Sequence, residues 1–211
     1  MQRFGASARR LGFVALCLLC PGLVACSSGS ASPGFVTPQL MSAYIPLYQR
    51  QILVFGRWGA AVALTPNVAV TNDHNLNFIP PDRLIARSRD YDLLFFRTQG
   101  HESPLFANPT VGEQVIAYGE GSSRDVRQAE GEVTGLNEFV APRCDGCLDQ
   151  RELIYEANAG EGFSGGPVVD ANTGAVIGIT FGYKEAGKDR LMYAYDIGLV
   201  LDEMHRLVSG R

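Results

Sequence analysis

The sequence predicts an all-β fold, in which two six-stranded antiparallel barrels pack together and a C-terminal α-helix follows them. Short apolar runs bounded by turn residues recur at close intervals from about Tyr44 onward, which is typical of strands. These runs form two groups of roughly six, as paired barrels require. The chain has 211 residues with 24 glycines and 11 prolines, so it is long enough for one substantial core and rich in turn-forming residues.

The apolar runs predict the following strands. Those before Pro104 are Gln51–Phe55, Gly59–Leu64, Val68–Thr71, Arg83–Ala86 and Leu93–Arg97. Those after it are Gln114–Tyr118, Gly131–Leu136, Glu152–Glu156, Pro167–Val169, Ala175–Phe181 and Leu191–Tyr195. At the end of the chain the apolar residues change to helical spacing, with Asp196 as candidate N-cap and Gly210 as a stop. The apolar face of this helix comprises Ile197, Leu199, Val200, Met204, Leu207 and Val208.

The first 25 residues have the pattern of a secretory signal peptide. Arginines without any acidic residue precede an apolar run, Leu11–Ala25, that is too short to span a bilayer comfortably. The run ends in Leu23-Val24-Ala25-Cys26, which resembles the bacterial lipobox, where the cysteine thiol receives diacylglycerol before cleavage. We therefore expect a lipoprotein signal peptide at 1–25 and lipidation of Cys26. An ordinary secretory peptide with a chance cysteine is the alternative.

Residues 26–43 are expected to form a lipidated, flexible tether, and residues 44–211 the folded domain. Ser27–Pro38 is too rich in small and polar residues to pack a core. Because serine and not aspartate follows Cys26, the resemblance to lipoproteins implies an outer-membrane anchor facing the periplasm. The leader holds three of the 18 basic and none of the 22 acidic residues, so the remaining chain carries a net charge of −7. That charge argues against nucleic acid as a partner and leaves the lipid as the membrane contact.

The most informative stretch is Gly162-Phe163-Ser164-Gly165-Gly166-Pro167. A nucleophilic serine needs a tight turn whose backbone amides point at the developing oxyanion, and flanking glycines allow that approach. The stretch resembles the nucleophile motif of trypsin-like serine peptidases, Gly-x-Ser-Gly-Gly-Pro. The resemblance implies that Ser164 is the nucleophile, that the amides of Gly162 and Ser164 form the oxyanion hole, and that both barrels have Greek-key connections. A glycine-rich hairpin is the structural alternative.

A serine hydroxyl needs a neighbouring base, and the chain has three histidines. His101 lies in a polar turn and His205 in the terminal helix, so both fit surface positions. His74 ends Val70-Thr71-Asn72-Asp73-His74 after an apolar strand, which resembles the base motif of the same family. Asp73 and Asn75 differ from the residues commonest there. We expect His74 to be the base.

The third catalytic residue must accept the other imidazole hydrogen and thereby orient the ring. In the trypsin-like family an aspartate stands just before an apolar strand, and Asp92-Leu93-Leu94-Phe95-Phe96 matches this pattern. Asp90 is the alternative; Asp92 is favoured because it adjoins the apolar run. The chain order His, Asp, Ser also agrees with this family and disagrees with α/β-hydrolases and subtilisins.

Other features of the resemblance concern activation and specificity. Phe163 stands where zymogen relatives have an aspartate, so we expect a site formed without proteolytic activation, as in HtrA-type bacterial peptidases, here without a PDZ domain. By the same resemblance the substrate pocket comprises Asn158, Thr180, Phe181 and Gly182, with Ala194 as a further candidate. It contains no aspartate for a basic side chain, which suggests a small or apolar residue before the scissile bond.

Two cysteines, Cys144 and Cys147, remain in the domain once the leader and the lipid are counted. In an oxidising periplasm we expect them to close a small disulfide loop. Their spacing also occurs in redox motifs, but the strand-to-helix context of those motifs is missing. A zinc site would want another pair of ligands, so no metal and no cofactor is expected.

The expected function is a serine endopeptidase of the cell envelope that cleaves polypeptides through an acyl-enzyme. One alternative is a catalytically inactive trypsin-like domain that binds envelope proteins, which the departures around His74 keep open. Another is an envelope redox protein based on Cys144 and Cys147. The sequence leaves the substrate and the oligomeric state undetermined.

Overall fold

The computed structural model describes residues 31–49, 57–137, 152–186 and 189–208. Two sheets and a C-terminal helix make up this part of the chain. In chain order the elements are β1 (Ser32–Pro33), α1 (Pro38–Met41), β2 (Tyr44–Gln49), β3 (Arg57–Thr65), β4 (Val68–Thr71), a 3-10 helix (Asp73–Phe78), β5 (Leu84–Arg87), β6 (Leu94–Arg97), β7 (Gln114–Glu120), β8 (Val126–Asn137), β9 (Glu152–Ala157), β10 (Pro167–Asp170), β11 (Val176–Ala186), β12 (Asp189–Asp196) and α2 (Ile197–Val208).

The second half of the chain forms a closed six-stranded barrel. Its sheet has the order β1-β8-β7-β10-β11-β12-β9, and an additional pairing of β8 with β9 closes the ring. All of these pairings are antiparallel. The six predicted strands after Pro104 are the six strands of this barrel, so that part of the fold prediction is confirmed.

The first half forms an antiparallel five-stranded sheet of order β2-β3-β4-β6-β5. Within the described ranges its outer strands β2 and β5 do not pair with each other, so the second predicted barrel is not confirmed. The strand predicted at Gln51–Phe55 lies outside the described residues. The strand β2 carries an exposed proline, Pro46, which an edge strand tolerates and which obscures the strand pattern in the sequence.

The largest apolar cluster lies between the five-stranded sheet and the barrel. It combines Val62 and Phe95 from the sheet with Tyr118, Val169 and Tyr195 from the barrel, all of them buried. Burial of such large side chains is the dominant favourable contribution to folding. This shared core therefore fixes the sheet relative to the barrel.

The terminal helix α2 covers one end of this core. Its buried residues Ile197, Leu199, Val200 and Met204 belong to the predicted apolar face. The Leu199 amide donates a hydrogen bond to Asp196 Oδ1 at 3.1 Å, which confirms the predicted N-cap. The stop predicted at Gly210 lies outside the described residues.

The segment predicted as a tether is partly packed on the domain. The strand β1 pairs with β8, and the Gly34 amide donates to the Val126 carbonyl at 2.9 Å. Leu40 and Ala43 are fully buried. Residues of the segment 31–43 thus pack on the domain, and isolated apolar residues in a polar segment give no periodic signal of such packing. The boundary at residue 44 stays a prediction. Across the described ranges, no helix has the length and apolar character needed to cross a membrane.

The burial of Leu40 leads to a test of this packing. Leu40→Ala is expected to lower the free energy of unfolding by about 2–5 kcal/mol, because it leaves a cavity in the shared core. The neighbouring Met41 is 65% exposed, so Met41→Ala is the matched control and should change stability by less than about 0.5 kcal/mol. Urea denaturation measures both; equal stability of the two variants would show that this segment is not part of the folded domain.

Candidate active site

The three predicted catalytic residues come from both halves of the fold. His74 lies in the 3-10 helix that follows β4, and Asp92 stands just before β6, so both belong to the five-stranded sheet. Ser164 lies in the turn that leads into β10 of the barrel. The strands β4 and β6 pair directly, with Thr71 opposite Leu94, which brings the residues after the one strand next to those before the other.

His74 and Asp92 make two hydrogen bonds. His74 Nδ1 lies 2.7 Å from Asp92 Oδ2, and the His74 backbone amide donates to Asp92 Oδ1 at 3.0 Å. Asp90 instead pairs with Arg206 at 3.1 Å. The structure therefore brings Asp92, not the alternative Asp90, to the histidine. The Asp92 side chain is 14% exposed and that of His74 is 48% exposed, so the imidazole can meet a ligand while its carboxylate partner stays shielded.

The backbone of Asp92 is held by two further groups. Its amide donates to the Tyr195 hydroxyl at 3.0 Å, and its carbonyl accepts from Asn72 Nδ2 at 3.1 Å. Tyr195 is a buried residue of the barrel and Asn72 is fully buried beside the 3-10 helix. Groups from both halves of the molecule thus fix the position of this aspartate. The sequence analysis assigned neither residue a role.

The turn around Ser164 depends on its glycines. Gly162 has φ of 90° and Gly165 has φ of 80°, in the left-handed region that favours glycine. A Cβ on Gly162 would collide with the Glu120 carbonyl and the Trp58 ring, and one on Gly165 would collide with the Ala60 carbonyl and Thr71. Both positions therefore need glycine for backbone conformation and for space.

The hydrogen bonds of this turn leave two amides without a protein acceptor. The Gly165 amide donates to the Thr180 carbonyl at 2.8 Å and the Phe163 amide to the Gly160 carbonyl at 3.2 Å. Within the described part of the chain, the amides of Gly162 and Ser164 have no hydrogen-bond acceptor. These are the two amides that the sequence analysis assigns to an oxyanion hole.

A surface cavity of about 340 Å³ lies beside the Ser164 turn and His74. His74, Gly162 and Ser164 contribute to its wall. The other lining residues are Arg57, Trp58, Asn75, Asn77, Phe78, Gly160, Glu161 and Tyr183. Most of these residues belong to no sequence motif and come from distant parts of the chain, so only the folded structure identifies them. The sole compositional signal is that Trp58 is the single tryptophan.

The four residues predicted as the substrate pocket are absent from this lining. Thr180 is buried, with its hydroxyl 2.9 Å from that of Tyr155. Phe181 stacks on Tyr195 with ring centroids 4.4 Å apart. Asn158 is exposed and Gly182 is half-buried. Their assignment as a specificity pocket stays a prediction.

A buried carboxyl group lies directly behind the turn that carries Ser164. The Glu120 amide donates to the Gly162 carbonyl at 3.0 Å, and its side chain is 1% exposed. Glu120 Oε1 accepts from the Tyr44 hydroxyl at 2.6 Å, while Oε2 has no hydrogen-bond partner among the described residues. Burial raises the pKa of Glu120 to about 7, against the stabilising hydrogen bond from Tyr44. Burial, together with the nearby carboxylate, also raises the pKa of Tyr44 far above its usual range.

Several predicted sites lie outside the described residues: the lipidated Cys26 and the cysteine pair Cys144 and Cys147. They stay predictions. Over the described ranges, no cluster of three or more His, Cys, Asp or Glu side chains is placed to hold a metal ion.

Comparisons with known proteins identify the family to which this architecture belongs. The family model of the trypsin-like peptidase domain matches residues 62–179, more than half of the chain. The chain therefore belongs to the trypsin-like peptidase domain family, a family of serine proteases. A search of curated proteins found no significant match.

Solved structures share the fold. The active form of the Rv3671c protease from M. tuberculosis has a TM-score of 0.66 and 17% identity, with 84% of this chain and 88% of that chain covered. The HtrA-type protease AlgW with a tripeptide has a TM-score of 0.66 and 18% identity, with coverage of 81% and 61% respectively. At these identities the similarity establishes the fold alone.

The raised pKa of Glu120 leads to a test by stability. Between pH 4.5 and about 7 the native state retains a proton that the unfolded state releases, so native stability should fall as the pH rises through this window. Glu120→Gln removes the titration and should remove this loss, which amounts to at most about 3 kcal/mol. Urea denaturation at several pH values measures the difference between the two proteins.

The exposed Glu130 of β8 provides the matched control. Glu130→Gln makes the same chemical change and should retain the native pH dependence. Parallel stability curves for native protein and Glu120→Gln would contradict the raised pKa.

Proposed function

We propose that this protein is a serine endopeptidase that cleaves polypeptides through an acyl-enzyme on Ser164. The observation that carries the proposal is that His74, which makes two hydrogen bonds with Asp92, lines the same cavity as Ser164. Membership of a serine protease family supports the reaction type. The assignment of roles below rests on the chemistry of the individual groups.

Asp92 determines which nitrogen of His74 acts as the base. An ionised carboxylate only accepts hydrogen bonds, so the Nδ1 atom that faces Asp92 Oδ2 carries the hydrogen. In the neutral ring Nε2 is then the basic nitrogen. His74 Nε2 accepts the proton of Ser164 Oγ as that oxygen attacks the substrate carbonyl carbon, and Asp92 stabilises the imidazolium that forms.

The two amides without protein acceptors suit the charge that develops during attack. Addition of Ser164 Oγ converts the carbonyl oxygen to an oxyanion, and the amides of Gly162 and Ser164 are its proposed donors. Collapse breaks the peptide bond, and the leaving amine takes its proton from His74 Nε2. Water then attacks the Ser164 ester by the reverse proton transfers and releases the second product.

The cavity has the size and lining of a peptide-binding cleft. Its aromatic residues Trp58, Phe78 and Tyr183 offer apolar contact area, while Arg57 and Glu161 place one charge of each sign at the wall. We propose exposed polypeptide segments as substrates, with a small or apolar side chain before the scissile bond.

We also propose that the domain acts in the cell envelope, attached through lipid at Cys26 and displayed to the periplasm from the outer membrane. The lipobox-like end of the leader supports this position. Incorporation of labelled palmitate into the native chain but not into Cys26→Ser tests the anchor. Equal incorporation into both would refute it.

The first test of the proposed chemistry uses a fluorophosphonate, which labels a serine only when its hydroxyl is activated. The purified protein should be labelled, while Ser164→Ala should not react and His74→Ala should react at least about 10³-fold more slowly. In-gel fluorescence and intact mass measure the labelling. Failure of a well-folded native protein to react would favour a protein-binding module without catalytic activity.

The second test separates the two neighbouring aspartates. Asp92→Asn keeps the shape of the side chain but stabilises the wrong histidine tautomer, so the labelling rate should fall by roughly 10⁴-fold. Asp90→Asn makes the same change at the residue that pairs with Arg206, and its labelling rate should stay within about twofold of native. Equal effects of the two variants would contradict the role of Asp92.

A further inference from the structure

The side chain of Asn75 connects the helix that carries His74 to the residue that carries the proposed nucleophile. Asn75 Nδ2 donates to the Ser164 carbonyl oxygen at 3.1 Å and to Thr71 Oγ1 at 3.0 Å. The residue is 4% exposed and lies within the same 3-10 helix as His74. The sequence analysis noted Asn75 only as a departure from the family pattern.

The orientation of this amide follows from its partners. Thr71 has one hydroxyl hydrogen, which it donates to the Ala60 carbonyl at 2.7 Å, so toward Asn75 it must accept. The Ser164 carbonyl can only accept as well. Both acceptors therefore require the NH₂ end of the Asn75 side chain, and its two hydrogens are both used.

The Asn75 amide completes a closed set of hydrogen bonds across the two halves of the fold. The Ser164 carbonyl accepts a second hydrogen bond from the Ala60 amide at 3.0 Å, so strand β3, the 3-10 helix and the nucleophile turn share one network. The space is tight, because a Cβ on Gly59 would lie 3.1 Å from Asn75 Nδ2 and 3.3 Å from the Ser164 carbonyl oxygen. A side chain at position 59 would therefore require Asn75 or Ser164 to shift.

We propose that Asn75 is a positioning residue that sets the distance between the His74 imidazole and the Ser164 hydroxyl. His74 belongs to the five-stranded sheet and Ser164 to the barrel, so their separation depends on how the two halves pack. Asn75 is adjacent to His74 in the chain and hydrogen-bonded to Ser164, and it restrains both with one short side chain. Asn75 also lines the cavity, but its two amide hydrogens are used by Thr71 and Ser164, so its proposed role is exerted through His74 and Ser164.

This inference rests on the proposed function, and its test uses the kinetics of fluorophosphonate labelling. Asn75→Leu keeps the approximate volume and removes both hydrogen bonds. At saturating probe, the maximal labelling rate should fall roughly 10- to 100-fold, the size of effect that a displacement of about 1 Å produces. The probe concentration at half-maximal rate should change by less than about threefold, because the cavity wall is otherwise unchanged.

Val133→Ala, in the separate apolar cluster inside the barrel, controls for a loss of stability without a change in the contact between the two halves, and should be labelled at the native rate well below its melting temperature. A merely structural role of Asn75 would make Asn75→Leu behave like Val133→Ala. That result would overturn the inference while leaving the proposed function intact.

A second readout does not depend on catalysis. In spectra of ¹⁵N-histidine protein, Ser164→Ala should shift the His74 ring resonances in the native background and should have a much smaller effect in the Asn75→Leu background. Equal shifts in both backgrounds, or no shift in the native one, would overturn the inference. In one further outcome, Asn75→Leu reduces the effect of Ser164→Ala on the His74 resonances while the native protein never reacts with fluorophosphonate. That combination would support the positioning role and refute the proposed function.

Discussion

The contact between the five-stranded sheet and the barrel is the constraint on which the candidate site depends. The groups proposed for proton transfer belong to the sheet, and the proposed nucleophile belongs to the barrel. Their common reference is the buried cluster in which Val62 and Phe95 meet Tyr118 and Tyr195. Close packing of such a core permits few alternative arrangements, because side chains that interdigitate cannot slide without opening voids. A site divided between two units can therefore still be fixed to within the tolerance that proton transfer needs.

The apolar core sets the relative position of the sheet and the barrel approximately. Hydrogen bonds across their contact fix that position more closely. The Ala60 amide and Asn75 Nδ2 both donate to the Ser164 carbonyl, and the Tyr195 hydroxyl accepts from the Asp92 amide. Each of these bonds joins a group of the sheet to a group of the barrel. An apolar contact has little directional preference, whereas a hydrogen bond weakens steeply when its angle departs from linear. The polar groups at the contact thus supply orientation, and the apolar cluster supplies most of the free energy.

The sequence pointed to those parts of the candidate site whose signals are local. Ser164 was recognisable as a candidate because a tight turn needs glycine at positions such as 162 and 165, both of which have positive φ. His74 and Asp92 were recognisable because each adjoins an apolar strand, and the two strands pair. Asp92 and Asp90 are only two positions apart, yet the position of the following strand distinguished them. Asp92 bonds the histidine, whereas Asp90 pairs with Arg206.

The rest of the site could not be predicted because it depends on long-range pairing. Trp58, Phe78 and Tyr183 meet in one cavity although they come from separate elements, and no local pattern records which strands will be neighbours. The same limit applies to Leu40, whose burial depends on a distant core. The four residues expected to form the specificity pocket came from resemblance alone, and the side chains of two of them, Thr180 and Phe181, contact tyrosines. The six strands of the barrel were predictable because alternation and turn residues are local signals.

Unfavourable local features are concentrated where the chain turns into β10. Two glycines there have positive φ, and two amides have no acceptor within the described residues. The carboxyl group of Glu120 is buried just behind them with one oxygen unpaired in the described part of the protein. Polar groups without a hydrogen-bond partner lower stability, and folding alone would not select their combination at one turn. The proposed oxyanion hole accounts for the glycines and the two amides, since such donors are effective only if they are left unpaired in the absence of substrate. The buried carboxyl group then follows from geometry, because the strand end that holds the Gly162 carbonyl brings the Glu120 side chain into the core.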